Sequence, residues 1–592
     1  MTGRKIVDVA LGSGAFAEIE RALASERPRL WVGGLLGSSK SLLAAALRRR
    51  LPHAWVVVAP TPTDAEHVYD DLVTYLGGEG VQLFGEWETL PYEHRSPLAR
   101  IVESRLVTMS RLLAGETPVI VTTPKGMMQA TLPPGQLERA IARVSVGAAL
   151  RLEDAARRFV DLGYRRVRMV EDTGEFSVRG GIIDFLPFGY DDPIRVELSG
   201  DAVESMRQFD VYTQRSVRDL QEAVILPRRE VVLVDEGTGE LASRIESAHA
   251  AESRDRERLL DGLDAGFHFE GVEQYLPVIH EDAGTLVDYL PADAGVFLIR
   301  DDEIWDRADQ LSLEAAKIYS ERRDDAPLCE PDSLLVPFER IISRLGSRPI
   351  VSAGLVPTAR IDGLKRLEVR TTLQEPTGPE FDELRVRLSG LARSSRVFVM
   401  CDNRGQVARL RELLAETATD VALEVGSLEK GFAFPEAGFV VYTDHDIFDR
   451  YRQRRRRKFR GGAPISSFES LEEGDYVVHV GHGIGCYVGV ERVNADGRLV
   501  DCVVVEYAEG GKLYVPSDEI DRLQKYVGKE GQTPRLNRLG GVAWGKTKAR
   551  AKRAVAELAR ELLALYASRK GRPGFEFGKD TLWQQELEAS FI

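Results

Sequence analysis

Gly34-Leu-Leu-Gly-Ser-Ser-Lys40-Ser41 has most of the residue types that bind phosphate, placed between an apolar strand-like run and a helical one. In such a loop backbone N–H groups wrap the phosphates, a lysine balances their charge and a serine or threonine holds Mg²⁺. Here those parts would be Gly34, Gly37, Lys40 and Ser41. Position 39, where the loop needs a second glycine, is Ser39, whose Cβ crowds the backbone where the phosphates would sit. The opposing metal-holding strand is altered too: it reads VFLIRDDE over 296–303, and Arg300 precedes the acids. Arg300 is expected to pair with Asp301 or Asp302 and to compete with a metal ion. The loop therefore reads as a degenerate, structural turn, and no cofactor is expected for this chain.

Other reactive groups are sparse. His479 and His482 lie three apart in VHVGHG without a third ligand, so turn-stabilising hydrogen bonds are the reading rather than a metal. Cys329, Cys401, Cys486 and Cys502 form no CxxC and read as free core thiols, although Cys486 and Cys502 fall in adjacent strands. No Ser/His/Asp or Cys/His set suggests a nucleophile. Arg450 to Arg460 carries eight basic residues in eleven. It reads first as a linker extended by self-repulsion, and second as a transient DNA or partner contact.

The elements that must position these groups follow from pattern. A chain of 592 residues is too long for one core. Its 43% apolar and 29% charged residues are those of ordinary globular protein, and a net charge of −14 leaves any nucleic-acid contact to a local patch. No run approaches a membrane span and the N-terminus lacks a secretory pattern, so a cytoplasmic location and no membrane partner are expected. Strands are predicted at Arg29–Gly34, Trp55–Pro60, Val81–Phe84, Pro118–Thr123 and Gly295–Ile299. Helices at Ser41–Arg50, Thr63–Leu76 and Ile101–Leu113 make this a parallel α/β domain. Antiparallel texture interrupts it at Glu175–Asp184, Pro193–Leu198 and Ala202–Phe209. The expected division is an α/β domain in two parts (1–131 and 229–345), an inserted domain (132–228), a small α/β domain (346–449), a basic linker (450–467), a β module (468–528) and a last segment (529–592). The small domain takes Pro349–Ser352, Leu367–Val369, Arg396–Cys401 and Gly438–Thr443 as strands and Gln406–Glu416 as a helix. Val542 to Lys570 is predicted as one long helix, and Trp544 with Lys546, Lys548, Arg550 and Lys552 begins it.

Residues 471–516 contain four short apolar strands, Tyr476–Val480, Tyr487–Val493, Val500–Tyr507 and Lys512–Val515, broken by glycine-rich turns. That pattern predicts a meander closing into a small barrel, whose interior is filled by its own side chains and which therefore serves as an interaction module. The words GDYVVHVGHGIGCYVG and KLYVP closely resemble the RNA-polymerase-interacting module of bacterial transcription-repair coupling factors, found also in CarD-type regulators.

Further words extend the likeness. GEWETLPYEHRSP, VTTPKGMMQ, GEFSVRGGIIDFLPFG and IRVELSGDAVESMRQFD resemble the damage-recognising B component of bacterial nucleotide excision repair, and still more the repair-coupling half of the coupling factors. The resemblance runs from about residue 30 to Ile592. It implies a multidomain α/β architecture: a degenerate helicase-like α/β domain like that of the excinuclease B component, an inserted antiparallel α+β domain, a second small α/β domain, a Tudor/SH3-like barrel and a long C-terminal relay helix. It implies that the inserted domain docks the excinuclease A component through Arg179, Arg195, Glu197 and, less directly, Arg207. It also implies that the barrel meets RNA polymerase, on its β subunit, at Leu513, flanked by Lys512 and Tyr514. The aromatic-rich hairpin with which the B component probes damage has no counterpart after Pro91, so direct lesion reading is not expected. The closing words GKDTLWQQELEASFI resemble the entry to a helicase-like motor, in which the family uses ATP and Mg²⁺ to translocate on double-stranded DNA. The motor's own motifs are not among these residues, so the chain is expected to be an adaptor in transcription-coupled repair without ATPase activity. An ATP-dependent helicase or excinuclease component acting through the first domain, and a stand-alone CarD-like regulator, are the competing readings.

Overall fold

A computed structural model describes residues 2–25, 28–170, 172–211, 214–232, 238–248, 254–264, 269–322, 329–354, 356–357, 359–374, 381–414, 421–448, 476–479, 483–495, 498–516, 523–525 and 536. The arginine run 450–460, His482 and the expected helix 542–570 lie outside them. The chain forms two compact units, Met1–Arg452 and Gln453–Ile592.

The first unit is organised by an all-parallel sheet of seven strands. Their spatial order is Lys365–Glu368, Arg29–Gly33, Ile350–Ala353, Gly295–Ile299, Trp55–Val58, Val119–Thr122 and Val81–Leu83. The inner strands from Ile350–Ala353 to Val119–Thr122 are buried at every position and mostly apolar because both faces are covered. Alternation still sorts them: Trp55 and Val57 join the core beneath helices Ser39–Arg50 and Pro62–Leu76, while Val56 and Val58 join the core on the opposite face. Helix Pro62–Leu76 starts where the sequence sets it, with Pro62 in its first turn and Thr61 Oγ1 accepting from the Asp64 amide at 3.2 Å.

The chain leaves this sheet after Thr122 and rejoins it at Gly295. Between them lies a six-stranded sheet in sequential order: Arg165–Arg166, Glu175–Arg179, Ile182–Phe185, Ile194–Ser199, Ala202–Phe209 and Ser216–Asp219. What the sequence suggested as one strand at Glu175–Asp184 is a hairpin, because Gly180 takes φ +59° in a two-residue turn. Helix Leu152–Asp161 covers one face and stacks Phe159 on Phe176 and Phe185, with ring centroids 5.1 and 4.8 Å apart. A ribbon of Ala142–Ser145 against Glu222–Ile225 ties the entry of this segment to its exit.

A mixed five-stranded sheet follows, in the order Thr372–Leu373, Phe432–Phe434, Phe439–Thr443, Arg396–Cys401 and Val421–Val425. One expectation is corrected here. Ile350–Ala353 and Lys365–Glu368, assigned from sequence to the small domain 346–449, belong to the seven-stranded sheet. Neither the buried run Ile350–Ala353 nor the exposed strand Lys365–Glu368 carries a sign of which sheet receives it, and the two α/β regions share one texture.

The second unit is an antiparallel sheet in the order Lys512–Pro516, Arg498–Glu506, Gly483–Ala495, Tyr476–His479 and Leu523–Lys525. Its core is Val477, Tyr487, Val503, Val505, Tyr507 and Val515. Gly485 is required by a close approach: a Cβ there would lie 2.4 Å from Val505 Cγ1. Among the described residues the two outer strands do not pair with each other, so the meander is present and barrel closure is not shown. Cys486 lies opposite Glu506 and Cys502 opposite Glu491 or Pro516, which places the two cysteines at separate register positions.

Candidate functional site

The loop at 34–41 has the backbone shape that its glycines predict, with φ +75° at Gly34 and +56° at Gly37. Several of its hydrogen-bonding groups, however, are already used by the chain. The Leu36 amide donates to Thr371 Oγ1 at 2.8 Å, and the Ser38 amide donates to the Lys430 carbonyl at 3.1 Å. The Lys430 amide returns a 3.1 Å bond to Ser38 Oγ. Ser39 is buried and donates to the Leu36 carbonyl at 2.7 Å, folding back on the loop. Segment Ser427–Gly431, which leads into strand Phe432–Phe434 of the mixed sheet, thus lies against the turn. Thr74 Oγ1 clasps it by donating to the Ser427 carbonyl at 2.9 Å and accepting from the Ser427 amide at 3.0 Å.

Charge fills the same place. Burial, followed by the nearby Arg300, holds the Lys40 ammonium below its usual range, while Glu429, Glu303 and Asp64 oppose that shift. Glu429 is held below the usual carboxylate range by His67, 3.6 Å away, with Lys40 and Arg300 adding to it. Beneath them Asp71, fully buried, accepts from the Glu429 amide at 2.7 Å, with the Ser38 and Ser41 hydroxyls beside it. Burial raises Asp71 to about 7, and the Glu429 charge pushes the same way. Arg300 does not pair as expected: it reaches Asp64 at 2.6 Å and Glu303 at 3.3 Å. Its own left-handed backbone, φ +55° at the start of helix Asp301–Glu321, turns it away from its sequence neighbours Asp301 and Asp302.

The exposed face of the six-stranded sheet collects all four residues expected to dock a partner. Register aligns Ser177, Asp184, Arg195, Arg207 and Asp219 across five strands, with Arg179 and Glu197 two residues along on the same face. Arg195 grips Asp184 with both edges of its fork, Nε to Oδ1 at 2.7 Å and Nη2 to Oδ2 at 2.9 Å, and lies over the Phe209 ring at 4.4 Å. Arg179 reaches the same carboxylate from the hairpin. Glu197 takes Arg207 at 3.1 Å and Ser205 at 2.8 Å, and these donors lower its pKa. Asp184 was missed in the sequence. Its side chain is 2% exposed beneath an Arg179 side chain that is 50% exposed. The available signal was a lone acid in the apolar run IIDFLPF.

In the second unit Lys512–Pro516 is an outer strand, paired on one side with Arg498–Glu506 and, among the described residues, not on the other. Leu513 sits opposite Val505 and packs, half-buried, against the core. Tyr514 and Lys512 point to the other face and are exposed, Tyr514 at 41%. The leucine expected at the polymerase contact is thus partly a core residue.

With this geometry in place, two family descriptions match. Residues 143–230 match the UvrB interaction domain, which covers the six-stranded sheet, and residues 471–527 match the CarD-like/TRCF RID domain, which covers the antiparallel sheet of the second unit. Whole-chain likeness points the same way. The chain is 28% identical over 597 residues to the transcription-repair-coupling factor of Bacillus subtilis (strain 168), covering 95% of this chain and 50% of that protein. It is 32% identical to the transcription-repair-coupling factor of Myxococcus xanthus, covering 98% of this chain and 52% of that protein. The likeness is to transcription-repair-coupling factors over nearly the whole chain. The factor of Staphylococcus aureus (strain USA300) matches at 25% identity, with 95% and 50% covered. The chain spans about half the length of the coupling factors it matches. No helix among the described residues is long and apolar enough to cross a membrane.

Proposed function

We propose that this chain couples stalled transcription to excision repair by holding two partners, RNA polymerase and the excinuclease A component, on separate domains. The observation that carries this reading is the presence in one chain of a UvrB interaction domain at 143–230 and a CarD-like/TRCF RID domain at 471–527. On the first, the Asp184-centred arginines offer a fixed, half-exposed cationic edge beside Glu197, suited to charge-assisted pairing with a polar protein surface. On the second, the outer strand Lys512–Pro516 adds to a sheet of the polymerase β subunit, with Tyr514 and Leu513 beside the new ladder. Contact with double-stranded DNA and the use of ATP and Mg²⁺ belong, in this reading, to a motor outside these residues. The first domain contributes no phosphoryl transfer, because its loop amides and Lys40 already have intramolecular neighbours.

The test is a three-way one. Pull-down of RNA polymerase and calorimetric titration with the excinuclease A component should both succeed, and a phosphate-release assay with double-stranded DNA and Mg²⁺ should show background turnover. Restoring Ser39→Gly should not raise that turnover. Turnover abolished by Lys40→Ala would instead make the first domain a working motor.

A further inference from the structure

The segment Ser427–Gly431 stands where a phosphate group would stand in a working loop, and its chemistry is the right kind. The Lys430 carbonyl takes the Ser38 amide at 3.1 Å, and the Glu429 carboxylate brings the negative charge that Lys40 and Arg300 act on. Ser41, the would-be metal ligand, lies instead beside Asp71, which anchors the Glu429 amide at 2.7 Å. The partners come from two different sheets: the loop follows Arg29–Gly33 of the parallel sheet, and Ser427–Gly431 leads into Phe432–Phe434 of the mixed sheet. The two sheets share a hydrophobic core that includes Leu428 and Phe432, but the segment's own contacts with the loop and the neighbouring helix are polar at Thr74, Ser38, Asp71 and His67, a composition that allows local opening of the segment alone.

We propose that Ser427–Gly431 is an internal ligand of the degenerate loop: it occupies the phosphate position in cis, and the loop takes a phosphate-class anion only when this segment withdraws. The segment then acts as a latch on the loop. Occupancy by the chain itself, in addition to the change at position 39, is what excludes nucleotide from the first domain. This goes beyond the two-partner reading above and stands or falls independently of it.

Two variants of the full chain open the latch by different routes. Glu429→Ala removes the carboxylate, and Thr74→Arg wedges the segment away without touching the loop. The readouts are amide hydrogen exchange and calorimetric titration with inorganic pyrophosphate. In both variants amides at 36–41 and 427–431 should exchange at least ~10-fold faster, a change of about 1.4 kcal/mol in local opening, while the strands at 175–209 keep their protection. Pyrophosphate should bind both variants saturably and the unmodified chain not at all, and adding Lys40→Ala should abolish that binding. Unchanged exchange at 36–41 in both variants overturns the latch. Faster exchange without saturable pyrophosphate binding overturns the phosphate-position assignment. Lost protection at 175–209 marks general unfolding, and in both variants it overturns the latch as a separable contact.

Discussion

The phosphate-type loop at 34–41 and the polar face of the six-stranded sheet both gather arginines and carboxylates, but with opposite accessibility. At the loop, Lys40, Arg300, Glu429, His67 and Asp71 lie among one another, and the Leu36, Ser38 and Ser39 amides already donate within the chain. On the sheet face the carboxylate of Asp184 is buried while the outer guanidinium it holds, on Arg179, is half-exposed. A buried anion beneath exposed cations fixes their direction and leaves donors available, whereas a cation enclosed with its own partners offers none. The same residue types therefore build a closed contact in one place and a half-exposed cationic edge in the other.

The sharpest way to break this contrast is to remove the buried anion. Asp184→Ala leaves Arg195, only 15% exposed, without its bidentate partner and frees Arg179 to reorient. Loss of such a buried partner costs about 3–5 kcal/mol of fold stability, and with both guanidinium groups no longer aimed, affinity for the excinuclease A component should fall roughly 30-fold or more by calorimetry. Arg179→Ala removes only the half-exposed edge and should give a smaller loss, about 10-fold or more. Polymerase binding should be untouched by either. Unchanged affinity in the Arg179/Arg195 double alanine variant refutes the docking face.

The second unit sharpens the comparison, since its expected contact residue lies between the two extremes. Leu513→Arg puts a cation against Val505 and the core, so lost polymerase binding should come with lower stability, by about 1–3 kcal/mol. Tyr514→Ala alters only an exposed side chain and should weaken binding with a change in stability of less than about 0.5 kcal/mol. Comparing pull-down yield with thermal unfolding for both variants separates docking from folding. Full binding by Leu513→Arg would remove the outer strand from the polymerase contact.

Much of the fold was legible because buried parallel strands and amphipathic helices write their periods directly into the sequence. Trp55–Val58 and Pro62–Leu76 are examples, found within two residues of their predicted ends. Sheet membership was not legible, since Ile350–Ala353 reads like any other apolar run and only tertiary pairing places it between Arg29–Gly33 and Gly295–Ile299. At the candidate sites, residue types revealed the weakness of the loop at Ser39 but not its occupant. Lys430 lies 392 residues from Ser38 in a segment with no motif of its own. Asp184 escaped notice for a related reason: its importance comes from register across three strands, which a single strand's sequence does not contain.

The smallest predicted effect probes the closed region by pH. Asp71 has its folded pKa raised from 3.8 to about 7 by burial, with Glu429 adding to the shift. A raised carboxylate favours the folded form while both states are protonated, and that contribution is lost as pH rises through the folded value. The unfolded side chain ionises near its ordinary value of 3.8. The loss therefore begins around pH 4, flattens above about 7, and amounts to about 1 kcal/mol between pH 6 and 8. The observable is the Glu429 amide, which donates to Asp71, measured by hydrogen exchange relative to the Asp71→Asn variant so that intrinsic exchange and other titrating groups cancel. Local opening should become easier with rising pH in the unmodified chain and stay level in Asp71→Asn. Equal pH dependence in the two chains would mean that Asp71 is already ionised in the folded state, and that the charge beneath the loop is held by its serine hydroxyls instead.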